Sequence, residues 1–174
     1  GVVINGNIFK VGALGIDFDN INSGTPSGAK SVKITNNTFA SGGYFTSAPI
    51  RLRGVTSSAI ADNTFSAPAG SATALVELGQ TTYGGLHCSY ITIAGNSGDA
   101  TGCDYAVNEA SGSDYNTASG NKFVAGDSGT VHFVGANSTD KDTLSAANIG
   151  IADDTTTNAT MYPAWVTANT GNLP

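Results

Sequence analysis

The stretch Ser31–Phe39 reads SVKITNNTF, and four altered copies of it elsewhere in the chain decide the fold. Aligned on one asparagine, the copies centre on Asn7, Asn37, Asn63, Asn96 and Asn121, at steps of 30, 26, 33 and 25 residues. Three positions ahead of it stand Ile4, Ile34, Ile60, Ile93 and Ala118, all apolar; two positions after it come Phe9, Phe39, Phe65, Gly98 and Phe123. The position just before it holds Gly6, Asn36, Asp62, Gly95 or Gly120. Those residue types most readily accept a left-handed backbone. Each copy therefore predicts a short strand that reaches a sharp corner at a fixed place, and periods of this size are the mark of a solenoid.

Within a copy, Val32 and Ile34 alternate with Lys33 and Thr35, a period of two that selects strand over helix. A second strand signal follows each corner: Ile16 to Phe18, Ile50 to Leu52, Val76 to Leu78, Tyr105 to Val107 and Val131 to Phe133. Stacking such units pairs each strand in parallel with its counterpart about 4.8 Å away. The fold class expected is all-β: a parallel β-helix of about five coils over residues 1–137, then an extended C-terminal tail over 138–174 with one short strand. The five asparagines are expected to form a structural ladder, each amide bonding to the next coil. The residues between the apolar positions of the second strand face outward and give a column Asp17, Arg51, Glu77, Ala106, His132. A neighbouring column holds Asp19, Arg53, Gly79 and Asn108.

The repeated pattern of apolar residue, spacer, Gly or Asn or Asp, Asn, spacer, Phe resembles the coils of right-handed parallel β-helices of the pectate-lyase-like superfamily, bacteriophage tailspikes among them. A second likeness lies in the tail, where Thr157, Asn158, Ala159, Thr160, Tyr162, Pro163, Trp165 and Val166 resemble the leader that joins the shaft of a tail fibre or tailspike to a C-terminal head or removable chaperone. The resemblance implies a virion protein for host adsorption, a homotrimer in contact with other tail proteins. It would be located in the phage tail, extracellular after release, with a host surface polysaccharide as partner. Two alternatives stand beside it, a tailspike depolymerase and a free secreted polysaccharide lyase. An uncovered first coil at Gly1 and a tail that ends at Pro174 lead to the expectation that the chain continues on both sides in a parent protein.

Composition limits the partners. A net charge of −6, with seven Lys and Arg and none of them in a run, lacks the clustered basic footprint of a nucleic-acid groove. No run of 18 apolar residues supports membrane insertion. Charged residues are only 11% while Gly numbers 23, which suits a polar β surface and excludes a long helical bundle. Cys88 and Cys103 are too sparse for a disulfide scaffold or a metal site, and they read either as one disulfide or as a free buried pair. His87 and His132 have no Cys, Asp or Glu at ligand spacing, so neither a metal nor a cofactor is expected.

The outward column is the candidate site. Asp17, Asp19, Arg51, Arg53 and His132 offer charged and bidentate contacts to a sugar, and Tyr44 or Tyr83 offers a ring to stack on it. Asp17 and Glu77 form the candidate catalytic pair. Two coil spacings put their backbones roughly 9 to 10 Å apart, from where side-chain lean reaches the roughly 6.5 to 9.5 Å of an inverting glycosidase. Arg51 between them is expected to keep both ionised, which fits a salt bridge better than a general acid. A surface charge ladder, a glycan contact and a catalytic pair thus all stand as readings of one column.

Overall fold

The computed structural model describes residues 1–10, 15–19, 29–40, 47–66, 72–80 and 85–142. The chain divides into two units, Gly1–Thr143 and Leu144–Pro174. The second unit, with Asn148 and the expected tail strand around Trp165, lies outside the described residues, as do Tyr44 and Tyr83.

Among its described residues the first unit is all-β, and every pairing between its strands is parallel. The strands fall into three sheets. The first sheet stacks Val2–Asn5, Val32–Thr35, Val55–Ala61, Ser89–Ala94, Thr117–Ser119 and Thr139–Asp140, with Ala29–Lys30 also beside Val55–Ala61. The second stacks Ile8–Lys10, Thr38–Ala40, Thr64–Phe65, Ser97–Asp99 and Lys122–Val124. The third stacks Ile16–Asp19, Ile50–Arg53, Ala74–Leu78, Tyr105–Glu109 and Gly129–His132. In sequence the chain visits first, second and third sheet in turn, and each visit lies beside the previous one. The parallel pairing continues through Thr139–Asp140, past the boundary expected at Asn137.

The corner between first and second sheet is built as the residue types require. Gly6, Asn36, Asp62, Gly95 and Gly120 all have φ between 55° and 70°. The following asparagine turns inward and joins a continuous ladder. Asn7 N–H donates to Asn37 Oδ1, Asn37 to Asn63, Asn63 to Asn96 and Asn96 to Asn121, at 2.9 to 3.0 Å. Each Nδ2 also donates to the next Oδ1, so one amide oxygen receives two bonds. From Asn37 onward the Nδ2 reaches a strand carbonyl as well: Asn37 to Ile4, Asn63 to Ile34, Asn96 to Ile60, Asn121 to Ile93. The buried corner amides thus leave no donor stranded, and stranding one costs about 1–3 kcal/mol. The ladder ends on Asp142, which accepts from the N–H and Nδ2 of Asn121 and from the N–H of Gly120. A carboxylate 21 residues on from Asn121 thus forms the last described rung of the ladder.

One apolar cluster draws on all three sheets: Ile34, Ile60 and Ile93 from the first, Phe39 and Phe65 from the second, Ile50, Leu52, Val76, Leu78 and Val107 from the third. Ile4, Phe9, Phe123, Val131 and Phe133, expected inside with them, are only partly buried because they belong to the outermost repeats. Phe9, Phe39 and Phe65 stack with centroids 4.9 Å apart. Phe65 and Phe123 meet at 6.2 Å across the strand that carries Gly98, which leaves room for both rings.

Candidate functional site

The third sheet carries the candidate residues outward between its buried positions. Asp17 lies beside Arg51, and Asp19 beside Arg53. Glu77 lies on the other side of Arg51. Beyond it the register corrects the expected column, since Glu77 pairs with Asn108 and Asn108 with His132. The column therefore runs Asp17, Arg51, Glu77, Asn108, His132; Ala106 is buried and takes no part, and Asn108 leaves the second column for the first. A slip of two residues in the fourth strand keeps Asn108 on the outward face and Val107 on the core face, so the alternation of polar and apolar residues does not detect it.

The same slip reassigns two further residues. Tyr105, expected to face the core opposite Val76, pairs with Ala74 and Gly129 instead. Its half-buried ring stacks on the His132 imidazole at 4.6 Å. Tyr44 and Tyr83, the rings expected at the rim, lie outside the described residues; among the described ones Tyr105 stands beside the column. Glu109 takes the place opposite Leu78, 2% exposed in a column that is otherwise apolar. Its carboxylate is fully occupied, accepting from Asn116 Nδ2 at 2.5 Å, Ser138 Oγ at 2.7 Å, and the N–H groups of Val134 and Gly135 at 2.8 and 2.7 Å. Four donors hold it as a brace between repeats.

The charges at the start of the column are tightly arranged. Arg51 donates to both oxygens of Asp17, Nη2 to Oδ2 at 2.6 Å and Nε to Oδ1 at 3.2 Å. Arg53 reaches Asp17 Oδ2 at 3.1 Å, Asp19 Oδ2 at 2.5 Å and Gln80 Oε1 at 2.6 Å. Arg53 itself is 7% exposed, and its Nε has no hydrogen-bond partner among the described residues. Burial pushes the Asp17 carboxyl up, but Arg51 and Arg53 outweigh burial and hold it below its usual range. In turn Asp17 raises Arg51.

Glu77 shifts in the opposite direction to Asp17, although Arg51 lies between the two. Burial raises the Glu77 carboxyl above its usual range; Arg51 and a hydrogen bond with Thr73 oppose the rise without cancelling it. The reason is geometric. Arg51 commits its fork to Asp17, as the two-point bond shows, and approaches Glu77 only as a neighbour in the column. Two carboxyls in one column thus sit in environments that push their proton affinities apart, an arrangement suited to acid and base roles.

His132 Nδ1 lies 2.9 Å from Asn108 Oδ1, which orients the ring at the far end of the column. His87 is not part of it; its ring lies against Gly85 and Gly112. Among the described residues no group of three His, Cys, Asp or Glu is arranged to hold a metal ion. Cys88 and Cys103 are both free and buried, and burial pushes each thiol up to about 11.

Compared with known proteins, the chain matches no family model, no curated protein and no solved structure.

Proposed function

We propose that residues 1–142 wind as a parallel β-helix whose third sheet binds a polysaccharide, and that the protein serves host adsorption as a tailspike or tail-fibre component. The column Asp17–Arg51–Glu77–Asn108–His132, with the Tyr105 ring stacked beside it, carries this reading. It sets hydrogen-bonding groups of both signs at the repeat of a parallel sheet, about 4.8 Å, and ends on an aromatic face. Sugars are recognised by bidentate polar contacts combined with stacking on a ring. A homotrimer attached to other tail proteins, acting outside the cell on a bacterial surface glycan, belongs to the same proposal and rests on the resemblance of the repeats and the tail.

A second reading, depolymerase, is favoured by one observation, the opposed environments of Asp17 and Glu77. In it Glu77 protonates the glycosidic oxygen and Asp17 activates water. The two readings separate in one experiment. Bacterial capsular and lipopolysaccharide glycans are incubated with the protein, binding is followed by calorimetry and chain cleavage by reducing-end release. Adsorption alone gives binding that falls at least about tenfold in Arg51→Ala, with no reducing ends. Depolymerisation gives reducing ends that Glu77→Gln abolishes while binding persists. Absence of binding to every glycan of the panel contradicts both.

A further inference from the structure

A second row of left-handed corners runs along the edge of the first sheet, and the repeat pattern gives no warning of it. Ser31, Ser57, Tyr90 and Tyr115 have φ of 59°, 50°, 58° and 58°. They form one column. Lys30 pairs with Thr56, Ser89 with Thr56 and with Asp114, and Ile91 with Ser58, so the residue between each pair overlies the next. The residue after each corner turns inward and ties the repeats together. Val32 N–H donates to Ser58 Oγ, Ile91 N–H to Asn116 Oδ1 and Asn116 N–H to Ser138 Oγ.

A tyrosine is a poor choice for such a backbone. Glycine or asparagine meets the same φ with less strain, as at Gly6, Asn36 and Gly95. Yet Tyr90 and Tyr115 both occupy it with their side chains in solvent, 58% and 48% exposed. Their rings stack at 5.0 Å and 11°. That spacing is close to the strand repeat of about 4.8 Å, so the rings lie flat across the stacking direction. One face of Tyr90 is covered by Tyr115. The other looks toward Ser57, whose side chain is a single hydroxymethyl group, and beyond it toward Ser31. The ring ladder is therefore interrupted after two members, and the place of the third is an open shelf with an aromatic roof and two exposed serine hydroxyls along its wall. Lys30 and Lys33, both exposed and in no ion pair among the described residues, stand on either side of Ser31 in the chain, Lys30 beside Thr56 and Lys33 beside Ala59. Strain retained at exposed aromatic positions is grounds for seeking a ligand.

We propose that this shelf binds an acidic pyranose, of the uronic acid class. The apolar face of the sugar ring stacks under Tyr90 as the missing third ring of the ladder. Its hydroxyls bond to Ser57 and Ser31, and its carboxylate faces Lys30 and Lys33. This site shares no residue with the column of the third sheet and does not depend on it.

The test uses saturation-transfer NMR with methyl glucuronide and methyl glucoside as probes and the whole chain as receptor. The proposal expects saturation on the ring protons of the glucuronide, affinity for it about fivefold above that for the glucoside, and loss of that preference in Lys30→Ala, Lys33→Ala. Tyr90→Gly is the decisive variant, because glycine suits φ of 58° and folding is not at risk. It lowers glucuronide affinity about fivefold or more while the melting temperature holds or rises. Ser57→Tyr fills the shelf and abolishes binding. The proposal is overturned by absence of saturation on both sugars, by equal affinity for the two, or by a Tyr90→Gly variant that binds as the wild type does. A Tyr90→Gly variant that binds normally and melts earlier assigns the tyrosines to the scaffold instead.

Discussion

At the scale of single residues, Asp17 and Glu77 show how one arginine between two carboxyls produces two different acids. Arg51 spends its planar fork on Asp17, and Glu77 keeps burial as its dominant influence. Their contributions to stability run in opposite directions with pH. Asp17 is held below its ordinary 3.8, so its stabilisation is present above that value and is lost as pH falls through the lower folded value. Glu77 is raised above its ordinary 4.5, so its contribution is intact below that value and is lost as pH rises through the higher folded one. Melting curves across pH check this. Glu77→Gln matches the wild type below the ordinary Glu value of 4.5 and exceeds it at neutral pH, whereas Asp17→Asn falls below the wild type at neutral pH and converges with it as pH falls through the lowered Asp17 value. A Glu77→Gln variant destabilised equally in both ranges contradicts the assignment.

At the scale of elements, the second sheet shows what a strand of two or three residues contributes. Thr38–Ala40 and Thr64–Phe65 are too short to hold by backbone pairing alone; each anchors one phenylalanine in a parallel stack. Phe39 is wholly buried within that stack, and Phe39→Ala is expected to cost about 3–5 kcal/mol by urea denaturation. Phe9→Ala costs less, since Phe9 is only partly buried at the edge. Gly98 interrupts the stack for a reason of space. A Cβ there meets Phe65 Cβ and the Phe65 carbonyl oxygen at 2.7 Å, so Gly98→Ala is expected to cost about 1–3 kcal/mol through overpacking. A neutral Gly98→Ala in the same measurement contradicts the close approach of these two strands.

At the scale of the molecule, the parts readable in advance are those where backbone geometry restricts residue type. Gly6, Asn36, Asp62, Gly95 and Gly120 announce a left-handed corner because few residues tolerate one, and the asparagine after each announces a ladder because few side chains both donate and accept. What stayed hidden has no such restriction. The fourth strand of the third sheet slips by two residues, which concealed Asn108 as a column member and Glu109 as a buried brace, and Tyr105 departs from the alternation to stack its ring on His132. Asp142 escaped because a last rung needs only to accept, and carboxylates are not the repeat's residue. Tyr90 and Tyr115 escaped because they occupy a left-handed corner against their own preference.

Every column, on either sheet, depends on successive passages of the chain lying side by side in parallel and in register. Engineered disulfides on the outer face of the first sheet test that most directly, because a bridge tolerates Cα separations of about 4.4–6.8 Å. Lys33 pairs with Ala59, and Ala59 with Thr92. Lys33 and Thr92 are therefore two strand spacings apart, roughly 9.6 Å. The native thiols Cys88 and Cys103, buried and pushed up to about 11, stay out of the exchange. On mild oxidation of the folded protein, Lys33→Cys with Ala59→Cys and Ala59→Cys with Thr92→Cys are predicted to close bridges within one chain, and Lys33→Cys with Thr92→Cys to remain reduced. Ready closure of the third pair with failure of the first two contradicts the parallel register and every column built on it.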